Sequence, residues 1–238
     1  MRAPKPVIVA LDVDSADEAR EIIADLAGEA GAFKIGLQLF TAAGPEFVRE
    51  VAAAHKVFLD LKFHDIPNTV AKAGIEAARL GVWMFNVHAS GGSEMMRRTV
   101  DEVGEACLSE DLERPLIIAV TVLTSSDANT LREIGIETEI ASHVSDLARL
   151  AKTSGLDGVV ASPLEIRAVK TATDGSDFLV VTPGVRPDFA TKDDQKRVMT
   201  PRNAVSEGAD YVVIGRPILK AADRLAALRK IYDEIGAA

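Results

Sequence analysis

The sequence predicts an α/β chain folded as a single (β/α)8 TIM barrel over residues 1–238. Three observations carry that expectation. Eight short apolar runs, each followed by a helix-like stretch, fit into the 238 residues with no linker or low-complexity break between them. The first run is not followed by a G-x-G-x-x-G turn, which argues against an open dinucleotide-binding sheet. The C-terminal ends of the runs, where barrels of this class carry their sites, collect polar side chains: Asp12, Lys34, Asp60, Lys62, Asn86, His88, Thr124, Arg186 and Arg216.

In chain order, the first strand is expected over residues 7–13 and ends in Asp12 and Asp14. Ser15 with Glu18 three residues later forms a capping box for a helix over 16–27. A second strand, 33–37, carries Lys34, and Gly44-Pro45 leads into a helix through Phe47, Val48 and Val51. The third strand, 58–63, is followed by a helix over 67–80 whose first residue, Pro67, suits an opening turn. The fourth strand, 82–87, ends near Asn86, His88 and the Gly91-Gly92 pair, with a helix around 95–103.

Residues 115–123 are almost continuously apolar, as a strand buried on both faces requires, and lead to Thr124 and a helix from about 137 to 152. Strands at 158–161, 178–182 and 211–214 alternate with helices at 163–170, 201–207 and 218–235.

Composition narrows the function classes. Nearly half the residues are hydrophobic, and a chain this long buries a core without a disulfide or metal staple. Cys107 is the only cysteine, which excludes an internal disulfide framework and a multi-cysteine zinc site and fits a reducing, cytoplasmic setting. Residues 1–6 lack the apolar core of a signal peptide, and no window of about 18 apolar residues predicts a membrane span. A net charge of -9 argues against a nucleic-acid binder, while leaving room for a local cationic pocket.

The chain is organised around residues 58–69, FLDLKFHDIPNT. On a strand, Phe58, Asp60 and Lys62 share one face and Leu59, Leu61 and Phe63 the other. Asp65 falls in the turn that follows, so Asp60, Lys62 and Asp65 are expected to cluster at the strand's end. A lysine between two carboxylates is held in its ammonium form, which makes Lys62 a fixed cation and proton donor and a poor Schiff-base nucleophile. An isolated D-x-K also describes a structural ion pair. Two lysines and two arginines over one rim tip the balance toward an anionic ligand.

Gly215-Arg216-Pro217 ends the last strand at a helix start, where backbone N–H groups and a guanidinium form an anion site. Arg186 follows the seventh strand, and the polar segment 188–197 behind it is long for a barrel loop. It is expected to be a phosphate-closing flap, with Gln195 near its far end.

Taken with ALD at 10–12, FKIG at 33–36, NVHASGG at 86–92, VTVLTS at 120–125, TPGVRP at 182–187, DQKRVMTP at 194–201 and VIGRP at 213–217, the segment 58–69 makes the chain resemble the bacterial orotidine 5'-phosphate decarboxylases over essentially its whole length. That resemblance implies decarboxylation of a pyrimidine nucleotide with no cofactor and no metal. It implies that Asp12 and Lys34 hold the ribose end, that Thr124 helps hold the pyrimidine, that Arg186, Gln195, Gly215 and Arg216 hold the phosphate, and that Lys62 protonates C6. It further implies a homodimer in which Asp65, Ile66 and Thr69 reach the neighbouring subunit's site. D-x-K-x-x-D barrels similar to this one include hexulose-phosphate synthases, which hold Mg2+ against an enediolate; Lys34 and Thr124 favour the nucleotide. A non-catalytic nucleotide-binding barrel is the remaining alternative, and the complete Asp60, Lys62 and Asp65 set weighs against it.

Overall fold

An apolar run satisfies its backbone polar groups in a sheet, and eight such runs remove the sheet's exposed edges by closing it. The computed structural model describes residues 5–175, 177–189 and 199–236. Strands β1 (Val7–Ala10), β2 (Ala32–Gly36), β3 (Val57–Phe63), β4 (Met84–His88), β5 (Leu116–Val120), β6 (Gly158–Val160), β7 (Leu179–Pro183) and β8 (Tyr211–Ile214) pair in parallel in chain order, and β8 closes onto β1. Around them lie α1 (Ala16–Leu26), α2 (Leu37–Ala52), α3 (Pro67–Arg79), α4 (Gly92–Glu110), α5 (Ala128–Glu133), α6 (Ile140–Thr153), α7 (Ile166–Ala172), α8 (Pro201–Ser206), α9 (Arg216–Leu219) and α10 (Arg224–Ile235).

Alternation along each strand divides the core in two. Ile8, Ala10, Ala32, Phe58, Met84, Ile118, Val181 and Val213 fill the barrel interior. Their strand neighbours Val9, Phe33, Leu59, Phe85, Ile117, Val180 and Val212 belong to the larger core in which the outer helices pack. Among the described residues no helix is long and apolar enough to cross a membrane.

The eight-strand expectation holds, with ends shifted by local chemistry. The first strand stops at Ala10, three residues short of the expected end, although Leu11 N–H still donates to Lys34 O at 3.0 Å. Helix α2 begins at Leu37, ahead of Gly44-Pro45; Gly44, at φ 75°, breaks it and Pro45 restarts it. The short α5 was not expected: Asp127 caps it by accepting the Asn129 and Thr130 N–H groups, both at 3.0 Å. Glu139 delays α6 to Ile140 by accepting from Ser142 N–H at 3.1 Å. The expected helix over 218–235 is two helices, because the Asp223 carboxylate accepts from Ala226 N–H at 2.8 Å and starts α10 afresh.

Candidate active site

Strand β3 does not run evenly beside β4. Leu59 pairs with Phe85 and Phe63 with Val87, so β3 advances four residues while β4 advances two. Asp60, Leu61 and Lys62 therefore stand opposite Asn86 alone. The excess of two is even, so the expected alternation survives: Asp60 and Lys62 line a cavity inside the rim, while Leu61 and Phe63 pack against the outer core. The extra length is absorbed at Lys62, whose φ of 55° is left-handed. For a residue with a Cβ that conformation costs roughly 1–2 kcal/mol.

From β1 to β3 the rim carries acid and base in alternation. Lys34 Nζ lies 3.0 Å from Asp12 Oδ1 and 3.4 Å from Asp60 Oδ2. The other oxygen of Asp60 accepts from Lys62 Nζ at 2.7 Å and from Asn86 Nδ2 at 2.7 Å. Asn86 in turn accepts the Lys62 backbone N–H at 2.8 Å through Oδ1. Lys34 is 8% exposed and Asn86 1%, so with Asp60 they form an inner part of the array that is largely withdrawn from water and mutually dependent, while the Asp12 side chain, 57% exposed, stands at its open edge. The Lys62 side chain is 32% exposed and opens onto the cavity.

That cavity, of about 180 Å³, has an apolar floor of Phe58, Val120, Val160 and Val213, with Val122, Leu123, Thr124 and Pro183 completing its wall beside Lys34, Asp60 and Lys62. A larger hollow of about 420 Å³ lies at the opposite end of the barrel, by Lys56, Trp83 and Arg114. Its arginines are committed elsewhere, Arg79 to Glu76 and Glu110 and Arg114 to Asp157. It brings together no counterpart of the acid-base array.

Other expected site residues fall around the same rim. Thr124 is half-buried in the cavity wall. Gly215 precedes α9, and a Cβ there would stand 3.3 Å from both Asp12 Oδ2 and Ala10 Cβ, so a side chain would press on the array. Arg186 and Arg216 are partly buried at the ends of β7 and β8. The loop after β7 is drawn together at its base, where Val185 bridges Met199 and Arg186 N–H donates to Met199 O at 2.9 Å. Asp188 N–H reaches Glu234 Oε2 at 3.4 Å. Gln195 and most of the expected flap lie outside the described residues.

Within one chain Asp65 does not join the cluster. Its side chain is turned to the surface, where Oδ1 accepts its neighbour Ile66 N–H at 2.6 Å, and it makes no ion pair with Lys62. Ile66 is 66% exposed, and Thr69 is exposed too. His88, at the end of β4, has its ring centroid 5.3 Å from that of His64. Burial lowers its pKa below the ordinary histidine value, His64 and Lys62 lower it further, and Asp60 opposes them. Sequence reading placed Asn86 at a strand end but missed its two bonds, because the signal is the β3–β4 register.

Fold and rim together define a (β/α)8 barrel enzyme class in which an ammonium, pinned by a carboxylate, faces a small cavity with an apolar floor. The family model for the orotidine 5'-phosphate decarboxylase / HUMPS family matches residues 5–231. The chain is 51% identical over its whole length to the orotidine 5'-phosphate decarboxylase of Syntrophotalea carbinolica, covering 98% of that protein. It is 55% identical to the protein of the same name from Trichlorobacter lovleyi, over 98% of this chain and 96% of the relative. Among solved structures, orotidine 5'-phosphate decarboxylase from Lactobacillus acidophilus superposes with a TM-score of 0.85 at 39% identity, over 97% of this chain and 99% of that one. The chain belongs to the orotidine 5'-phosphate decarboxylase / HUMPS family.

Proposed function

We propose that this barrel decarboxylates orotidine 5'-phosphate to UMP in pyrimidine biosynthesis, without a cofactor and with Lys62 at the reacting carbon. The observation that carries the reading is the Lys62 ammonium held 2.7 Å from Asp60 at the mouth of a cavity with an apolar floor. Asp12 and Lys34 bind the ribose hydroxyls, Thr124 the pyrimidine, and Arg186, Gln195, Gly215 and Arg216 the phosphate. When the C6–carboxylate bond breaks, CO2 leaves and the electron pair stays in an sp2 orbital on C6. A preorganised cation beside C6 stabilises that pair, and the Lys62 ammonium then gives it a proton; solvent later reprotonates the amine. Asp60, shared with Lys34 and Asn86, fixes the ammonium's position before substrate arrives.

Binding the remote phosphate supplies free energy for closing the loop and aligning the base. The alternation of lysines with carboxylates supports cofactor-free chemistry over the Mg2+ chemistry of hexulose-phosphate synthases, since each ammonium occupies a carboxylate that a dication would need. The decisive assay follows the fall in ultraviolet absorbance when the protein meets orotidine 5'-phosphate, with and without EDTA. Turnover indifferent to chelator is expected, and loss of turnover in EDTA overturns the cofactor-free reading.

The outward Asp65, Ile66 and Thr69 support a homodimer in which these three complete the partner's site. Mixing inactive Lys62→Ala and Asp65→Ala proteins under subunit exchange is expected to restore about a quarter of wild-type activity, because half of a random dimer mixture carries one intact site. No restoration, or a monomer at assay concentration, sinks the shared site.

A further inference from the structure

Asn86 stands where the backbone ladder between β3 and β4 fails. Three residues of β3 face it across the irregularity, and its side chain makes the bonds that regular pairing does not. Its orientation is fixed by its partners. A backbone N–H only donates, so Oδ1 faces Lys62 N; a carboxylate accepts, so Nδ2 faces Asp60. One planar amide thus holds both the left-handed backbone of Lys62 and the carboxylate that pins the Lys62 ammonium.

We propose that Asn86 is a positioning residue for Lys62, setting where the ammonium stands relative to the reacting carbon. This rests on the decarboxylase reading above. Asn86 is 1% exposed and is not part of the cavity wall, so it acts through Asp60 and Lys62 and does not touch substrate. The left-handed turn at Lys62 persists because a neighbouring strand over-determines it, and Asn86 supplies the side-chain part of that constraint. A displacement of about 1 Å in a reacting group costs on the order of 100-fold in rate. A substrate-binding group would instead change KM.

Two variants test the role. Asn86→Ala removes both bonds; kcat is expected to fall about 100-fold while KM stays within about threefold, with the protein folded. Asn86→Asp keeps an acceptor for Lys62 N–H and sets a second carboxylate against Asp60. Two carboxylates in one site push one pKa up, and only the protonated pair restores a donor toward Asp60. The charged groups around that pair are Asp12 on the β1 side, Lys34 on β2, Lys62 and His64 at the end of β3, and His88 on β4. The kcat of Asn86→Asp, divided by that of wild type at the same pH, is therefore expected to rise about tenfold as pH falls from about 8 to 5. A residue that merely filled space would give no such pH-dependent rescue.

Wild-type-like kcat in Asn86→Ala, or an Asn86→Asp profile parallel to wild type, overturns the proposal. If Asn86→Ala does not fold, Asn86→Asp decides alone. Absence of turnover in the wild-type protein overturns the decarboxylase reading instead, so the two failures are distinguishable.

Discussion

Phe58 and Asp60 point into the same barrel from the same strand, two residues apart, yet their levels are built on opposite chemistry. At the lower level Phe58, Met84, Ile118 and Val181 close the interior with apolar side chains that are at most 1% exposed. At the upper level Lys34, Asp60, Lys62 and Asn86 fill comparable positions with charges and an amide. Burial of the lower set favours folding. The upper set loses hydration that its mutual attraction only roughly offsets. Its arrangement is better understood as preorganisation for a reaction than as a source of stability.

If that contrast is right, substitutions at the two levels separate activity from stability. The largest effect is expected for Lys62→Ala, which on the proposed mechanism removes both the cation beside C6 and its proton donor: kcat falls at least about 10⁴-fold, since the two contributions are each worth about 10²-fold or more. Its melting temperature stays close to wild type, because Asp60 keeps Lys34 and Asn86 as partners. Near-normal kcat in the folded variant would falsify the assigned role.

Met84→Ala reverses the pattern. Emptying a fully buried interior position is expected to cost about 2–5 kcal/mol and to lower the melting temperature by on the order of 10 °C. At a temperature where the variant remains folded, KM for the nucleotide should be unchanged. A variant that melts normally but binds poorly would mean that the two levels are not separable.

The same contrast explains what was legible before the structure. The recurrence of short apolar runs, each leading into a helix-like stretch, revealed the eight strands, several of which, such as β1 and β5, are apolar on both faces. It also placed Asp12, Lys34, Asp60 and Lys62 on one rim. The irregularity in β3 was hidden, since Lys62 adopts φ 55° with no glycine or asparagine to advertise it. The bonds of Asn86 depend on that irregularity and were hidden with it. Asp65 was expected beside Lys62 from spacing alone, but the chain turns its carboxylate outward, where it accepts the Ile66 N–H, and spacing does not carry that local turn. Short helices such as α5 and α9 rest on single caps and tight turns and leave little periodicity to read.

The smallest effect expected concerns pH, and it tests whether the upper level carries a stability cost. Burial and the neighbouring His64 and Lys62 lower the pKa of His88, so the unfolded chain, with an ordinary histidine near pH 6.5, takes up a proton before the folded one does. Between about pH 6.5 and the lower folded value, the unfolded state therefore holds more protons, and stability falls as pH falls. Above about pH 6.5 both states hold His88 neutral and its contribution is flat. His88→Gln removes this group from the balance. Its melting temperature, followed from about pH 7 down to 5, is expected to decline less steeply than that of wild type, while the two slopes agree from pH 7 to 8. Parallel curves over the acidic range would mean that His88 is protonated equally easily in both states. In that case burial, the largest of the causes that lower its pKa, would not disfavour the charged ring in the folded protein.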